Sequence, residues 1–303
     1  MNKYLKALML FMALMTLFVI AGCSGGEDKT EAPAEKIKTT AASTEQSEHR
    51  IIAGTVVVAE ILDKLELDVI AVPETEKVLA PRFDGLPTIG NAMEPDMEIV
   101  KSLNPTDVLS VSTLEYDLQD KFKQLKIPVN FLNFQSVDAM LNEIKSLGEQ
   151  YDRTAQAEEL VMGLQKNIDA VQTVAANKEG PRVLILLGIP GSYLVATENS
   201  YAGDLVKRAG GINVMEGQDA EYLSSNTEYL HNSNPDIILR LSHGMPDEVV
   251  KMFDEEFKTN DIWKHFDAVK NGKVYDLEEE LFGTTASLQV PQALGQLMEI
   301  FYR

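Results

Sequence analysis

Residues 136–176 have the sequence SVDAMLNEIKSLGEQYDRTAQAEELVMGLQKNIDAVQTVAA, which shows helical periodicity and no strand pattern. In its second half, apolar residues recur at steps of three or four and so share one face of a helix. These residues are Ala157, Leu160, Leu164, Ile168 and Val171. Turn-forming residues from Asn177 to Pro181 end the pattern. The stretch predicts a long linking helix over 151–178 whose apolar stripe packs against the regions on both sides.

Strand and helix patterns alternate on both sides of this helix, which predicts βα units with mostly parallel sheets. The expected strands cover residues 51–53, 68–72, 107–111, 129–132, 182–187, 193–196, 236–241 and 273–277. We therefore expect an α/β fold of two similar lobes, each with a central sheet, joined by one long α-helix. The N-terminal lobe is expected over 50–150 and the C-terminal lobe over 179–303, with a ligand cleft between them.

Residues 55–62 leave two interpretations open. Thr55 is a good helix N-cap, which predicts a helix that begins directly after it. The β-branched run of Val56, Val57 and Val58 fits a strand equally well.

A short motif occurs once in each expected lobe. Glu98 is followed six residues later by Asn104, and Glu228 is followed six residues later by Asn234. In both copies a proline comes next and then a strand. Chance agreement of two helix–turn–strand units is the alternative, since Asn-Pro turns are common. Duplication predicts similar lobes facing one another, and clefts between domains are favoured ligand sites.

The N-terminus has the pattern of an export signal. Lys3 and Lys6 precede an apolar run that ends in small residues before Cys23. The segment at 20–23, IAGC, resembles the bacterial lipobox, which implies that residues 1–22 are a signal peptide and that Cys23 is acylated. An uncleaved anchor helix is the alternative. Residues 23–49 are then expected to be the acylated cysteine followed by a tether. We expect the tether to be flexible because the segment is polar and lacks aromatic residues.

Composition excludes several functions. The 303-residue chain has a formal net charge of −20, which argues against nucleic acid as a partner, since phosphate binding needs a basic surface. A single cysteine cannot form a disulfide within the chain or a cysteine-based zinc site. An anionic ligand stays compatible if a local site supplies positive groups or backbone N–H donors.

Several longer runs resemble a known family. They are DIW (261–263), AVKNGKVY (268–275), IGNAMEP (89–95), VLSVST (108–113), PGSYLVAT (190–197) and LRLSHGMP (239–246). The chain resembles the helix-linked binding proteins that serve ABC importers of siderophores, cobalamin and haem. Within that class it is most similar to the haem-receptor lipoproteins of the iron-regulated surface determinant system. The similarity extends from about residue 50 to the C-terminus and includes the lipoprotein signal.

The resemblance implies that haem, as the transported ligand, is held between the lobes by one methionine and one histidine. The matching residues are Met93 and His243. Thioether and imidazole are both known axial ligands of haem iron. The residues alone leave alternatives without ligand binding open: Met93 as a core filler and His243 as an exposed loop histidine. Both lie in expected loops, next to glycine and proline residues.

The resemblance also implies a surface glutamate on each lobe that pairs with arginines of the permease, at Glu98 and Glu228. Solvated helix carboxylates are the alternative. The haem propionates need partners as well. The candidates are the Lys77 and Arg82 side chains and backbone N–H groups near Val57 and Gly191.

The expected partners are haem, an ABC permease with its ATPase, cell-wall haem-transfer proteins upstream, and the membrane through the lipid anchor. The family implies a location on the outer face of a Gram-positive cytoplasmic membrane. A siderophore or cobalamin receptor on the same scaffold is the main rival. A haem-modifying enzyme is the rival of another class, although we find no glycine-rich phosphate loop, cysteine-based centre or Ser-His-Asp arrangement. A structural lipoprotein would bind no small ligand tightly.

Overall fold

The computed structural model describes residues 49–225, 230 and 233–303. The expected signal peptide, Cys23 and nearly all of the tether lie outside these residues, as does Glu228. In the part of the chain that is described, no helix is both long enough and apolar enough to cross a membrane.

The N-terminal lobe is built on a three-stranded parallel sheet in the order β1-β4-β5. A small antiparallel hairpin of β2 and β3 stands apart from it. In chain order the elements are β1 (Ile51–Ala53), α1 (Val56–Lys64), β2 (Gly90–Asn91), β3 (Glu94–Pro95), α2 (Met97–Ser102), β4 (Asp107–Val111), α3 (Glu115–Leu125), β5 (Val129–Leu132) and α4 (Val137–Gln150).

The C-terminal lobe follows the linking helix α5 (Thr154–Ala175) and has a larger sheet in the order β11-β10-β6-β7-β9, with β8 beside β6. Its elements are β6 (Arg182–Ile189), β7 (Ser192–Ala196), α6 (Tyr201–Arg208), β8 (Ile212–Asn213), β9 (Tyr222–Ser224), β10 (Ile237–Ser242), α7 (Pro246–Thr259), α8 (Asp267–Lys270), β11 (Val274–Leu277) and α9 (Val290–Phe301). The α/β fold with two sheet-containing lobes is confirmed.

The second sheet is mixed rather than wholly parallel. Strands β6, β8, β10 and β11 pair in parallel, whereas β7 pairs antiparallel with both β6 and β9. Only Pro190 and Gly191 separate β6 from β7, and so short a connection can join only antiparallel strands. Gly191 has a φ of 82°, a conformation that glycine adopts without steric cost.

The stripe of α5 packs into one apolar core that both lobes share. Ala157, Leu164 and Ile168 are buried, while Leu160 and Val171 are partly buried against the same core. That core includes Leu109 of β4 and Leu239 of β10. The helix therefore joins the sheets by continuous apolar packing. The lobe limits at 50–150 and 179–303 remain a prediction.

Polar contacts also join the lobes beside this core. The Arg208 guanidinium of α6 lies 2.9 Å from the Asp138 carboxylate of α4. The backbone N–H of Val137 donates to Asp204 at 2.9 Å, and that of Ala286 donates to the Phe134 carbonyl at 2.7 Å. Because backbone groups take part, the relative position of the lobes is tied to the main chain.

Two local expectations have definite outcomes. Residues 55–62 begin helix α1, and the Thr55 hydroxyl accepts from the Val58 N–H at 3.4 Å. The strand expected over 68–72 was wrong in extent. Only single bridges form there, at Ala71 with Ile52 and at Val72 with Thr88. The partner changes between these two adjacent residues, and Pro73, which lacks an N–H, follows at once.

The asparagine of the repeated motif has the same type of backbone conformation in both lobes. Asn104 and Asn234 adopt left-handed conformations, with φ of 47° and 35°. An arginine at the start of each lobe donates to carbonyls at this turn: Arg50 to Asn104 at 3.1 Å, and Arg182 to Ser233 at 3.1 Å. In each lobe an arginine side chain thus joins this turn to the start of the first strand of the lobe.

Truncation of the shared core should be costly. Ile168→Ala is expected to lower the free energy of unfolding by about 2–5 kcal/mol, because the side chain is fully buried. Exposed Lys166→Ala on the same helix is the matched control and should change it by less than about 0.5 kcal/mol. Urea unfolding of residues 24–303 measures both. Equal effects of the two substitutions would contradict the shared core.

Candidate functional site: a cleft between the lobes

A cleft of about 550 Å³ lies between the lobes and is lined from both sides. We call it the inter-lobe cleft. The N-terminal lobe contributes Thr55, Val56, Val57, Glu60, Lys77 and Ala92. The C-terminal lobe contributes His243, Glu279, Glu280, Gly283, Thr284, Thr285, Ser287 and Gln289. A neighbouring cavity of about 380 Å³ shares Glu60 and Gln289 with it, so the two spaces adjoin.

The N-terminal lobe presents the first turn of α1 to the cleft. Thr55, the N-cap, and the following Val56 and Val57 all line it. The N–H groups of a first helical turn lack carbonyl partners within the helix and, together with the helix dipole, favour anions. This end of the cleft is therefore suited to a carboxylate or phosphate group.

Met93 lies at the tip of the β2–β3 hairpin, directly after the cleft residue Ala92. Its backbone N–H donates to the Asn91 side chain at 2.8 Å, which fixes the turn. The residue is 56% exposed and belongs to none of the buried clusters. Met93 is thus an exposed thioether at the edge of the cleft and not a core filler.

His243 lines the cleft from the opposite lobe, directly after β10. Its backbone N–H donates to the Gly188 carbonyl at 2.9 Å, which continues the pairing with β6. The side chain is 39% exposed, and Nδ1 lies 3.4 Å from Oε1 of Glu279. The ring is therefore held at a strand end and remains accessible to a ligand.

Several charged groups meet in the cleft. Nζ of Lys77 and Oε1 of Glu280 lie 4.0 Å apart and join the two lobes. Both side chains are largely exposed, so this pair contributes little to stability. Burial raises the pKa of the Glu60 carboxyl above its usual value, although the charge of Lys77 opposes the shift.

The cleft does not collect all of the predicted residues. Val57, Lys77 and His243 line it, and Met93 adjoins it. Arg82 instead donates to Asp68 at 2.6 Å, and Gly191 forms the tip of the β6–β7 hairpin; neither is a lining residue.

Glu98 lies outside the cleft, exposed in the first turn of α2. It is therefore available to a docking partner on the surface of the N-terminal lobe. Its counterpart in the motif, Glu228, lies outside the described residues.

Sequence reasoning missed Glu279 and Glu280. Both belong to an acidic run that follows β11, and β11 pairs in parallel with β10. Since parallel strands end at the same edge of a sheet, residues after β11 lie beside those after β10. That rule, applied to the run after residue 277, would have placed these carboxylates near His243.

The chain belongs to the periplasmic binding protein family, whose model matches residues 51–281. It is 52% identical over 262 residues to the high-affinity heme uptake system protein IsdE of Staphylococcus aureus, which covers 86% of this chain and 90% of that protein. The crystal structure of S. aureus IsdE complexed with heme matches with a TM-score of 0.82 and 52% identity, over 84% of this chain and all of the other. An ABC transporter substrate-binding protein from Listeria monocytogenes matches with a TM-score of 0.81 and 54% identity, over 84% and 99% of the two chains.

The raised pKa of Glu60 predicts a pH-dependent cost. An acid whose pKa is raised by folding destabilises the fold as the pH rises through that value. Glu60→Gln is therefore expected to unfold at a higher temperature than wild type at pH 7, and the gap should close below about pH 4. Thermal unfolding at both pH values measures this.

Exposed Glu76→Gln, which changes the same charge outside the cleft, is the control and should show no such gap. A Glu60→Gln gap of the same size at pH 7 and pH 4 would contradict the assignment to ionisation.

Proposed function

We propose that this protein is the haem-binding receptor of an ABC importer and that it carries haem in the inter-lobe cleft. The observation that carries the proposal is that a methionine and a histidine, residue types that bind haem iron, lie at the cleft from opposite lobes: His243 lines it, and exposed Met93 follows the lining residue Ala92. The 52% identity to IsdE supports the same cargo. The chain is a binding protein of a transport system rather than an enzyme, as its relatives are.

The two ligands suit a carrier. Haem iron has two axial positions, and a thioether with an imidazole fills both. Oxygen then has no open coordination site, so the haem is held without being activated. Because one ligand comes from each lobe, bound haem also ties the lobes together.

The propionates are proposed to lie near the start of α1. The N–H groups of its first turn, with their partial positive charge, and the Lys77 ammonium form the electropositive side of the cleft. Glu60, Glu279 and Glu280 make the remaining rim acidic. A propionate at Lys77 must compete with Glu280 for the ammonium, so the ion pair between the lobes weakens when haem binds.

Delivery is proposed to occur at the membrane surface. Acylated Cys23 holds the protein on the outer face of the cytoplasmic membrane, and the tether lets the lobes reach their partners. Glu98 and Glu228 dock one lobe each onto arginines of the permease, whose ATPase drives import. Charges at the rim of an interface mainly guide orientation. Haem is received from cell-wall transfer proteins upstream.

Haem titration followed by visible absorption tests the cargo and its ligands. The full-length chain in detergent is expected to saturate at one haem with a low-spin, six-coordinate spectrum. Met93→Ala and His243→Ala should each alter that spectrum and weaken binding by about tenfold or more. Met162→Ala, which removes another exposed methionine on α5, is the matched control and should match wild type.

The outcomes separate the rival functions. Saturation with spectra unchanged by both substitutions keeps haem but rejects these ligands. Absence of specific binding rejects haem and leaves a siderophore or cobalamin receptor. Product formed from bound haem under reducing conditions would support a haem-modifying enzyme.

Docking is tested separately from cargo binding. Glu98→Ala combined with Glu228→Ala is expected to weaken stimulation of the permease ATPase roughly tenfold in reconstituted vesicles, with haem affinity unchanged. Asp120→Ala, an exposed charge removed from α3, should have no effect. Full stimulation by the double variant would reject docking through these residues.

A further inference from the structure

The Glu279 carboxylate lies beside His243 and contacts the loop that carries it. Its Oε1 atom accepts from the Gly244 backbone N–H at 2.9 Å and lies 3.4 Å from the Nδ1 atom of His243. The same oxygen therefore fixes the backbone after His243 and faces the ring.

Strand register places the two residues together. In the parallel pair of β10 and β11, Leu241 is aligned with Leu277. His243 and Glu279 each come two residues after this aligned pair, so the two strands leave the sheet at the same level. The contact is thus a consequence of the sheet and not of a flexible surface side chain meeting another.

Backbone geometry holds both sides of the contact. Gly244 and Met245 adopt successive left-handed conformations, with φ of 69° and 47°, before Pro246 begins α7. On the other side, the N–H of Phe282 donates to the Glu278 carbonyl at 3.0 Å, and the Phe282 side chain is 1% exposed. The turn that carries Glu279 is therefore anchored in the core.

We propose that Glu279 is the positioning residue for His243: it holds Nδ1 and leaves Nε2 to bind the haem iron. The inference rests on the proposed function and names the part of the site that tunes it. A carboxylate bound to Nδ1 fixes the tautomer and orientation of the ring and raises its basicity. A more basic imidazole stabilises ferric iron, which lowers the reduction potential of the bound haem and slows haem release.

The next residue provides a matched control. Glu280 is the same residue type and lines the same cleft, but its carboxylate faces Lys77 of the other lobe. Glu280→Gln removes an equal charge from the cleft without touching the loop of His243. A difference between the two substitutions therefore reports the contact with His243 and not the general charge of the cleft.

The experiment measures the reduction potential and the haem dissociation rate of the full-length chain loaded with haemin. Glu279→Gln keeps an oxygen that accepts from Gly244 but removes the charge. It is expected to raise the potential and to speed dissociation about tenfold or more. Glu279→Asp, which keeps the charge, should remain closer to wild type in potential, and Glu280→Gln should shift the potential less than Glu279→Gln does.

The result separates this inference from the function on which it rests. If wild type binds haemin through His243 but Glu279→Gln and Glu280→Gln have equal potentials and dissociation rates, only the role of Glu279 is overturned. If wild type binds no haemin, the proposed function fails and the inference fails with it.

Discussion

Packing of α5 into a core shared by both lobes is the interaction on which the remaining structure depends. The helix contributes Leu164 and Ile168 to a buried cluster that also contains side chains from the first sheet and from the second. Separating the lobes would expose that cluster to water at a cost of about 25 cal/mol for each square ångström of apolar surface. Apolar burial therefore holds the lobes together, alongside the polar contacts of Val137, Arg208 and Ala286.

The arrangement of the two lobes determines which groups line the cleft. The first turn of α1 and the loop after β10 present backbone N–H donors and the His243 imidazole from opposite sides. Each group is attached to a regular element: Val57 to a helix start, His243 to a strand end, and Met93 to a hairpin tip. A planar ligand that needs one contact on each face matches this arrangement.

Sequence patterns predicted the elements better than their details. Periodicity and the Asn-Pro motif predicted two lobes and the helix between them, because both signals are local in the chain. The linking helix was expected to begin at residue 151, but the turn that separates α4 from α5 was not predicted. It depends on Asp152 with a φ of 55° and on Gly148, where a Cβ would lie 2.4 Å from the Cβ of Ala157. Such close helix contact is a tertiary property that no periodicity records.

Some residues of the candidate site could be predicted from the sequence, and others could be found only in the structure. Met93 and His243 followed from a resemblance to known receptors. The residues alone left each with an alternative role that involves no ligand. The Glu279 carboxylate became visible only through the register of β10 and β11, since it is 36 residues from His243 in the chain. Arg82 carries the right charge for a propionate, but its position at Asp68 depends on how the chain folds before β2.

A structure of the haem-loaded chain tests the central claim most directly. The account predicts one haem in the inter-lobe cleft, with its iron bound by the Met93 sulfur on one face and by Nε2 of His243 on the other. Haem held by residues of one lobe alone, or iron bound by other side chains, would contradict it.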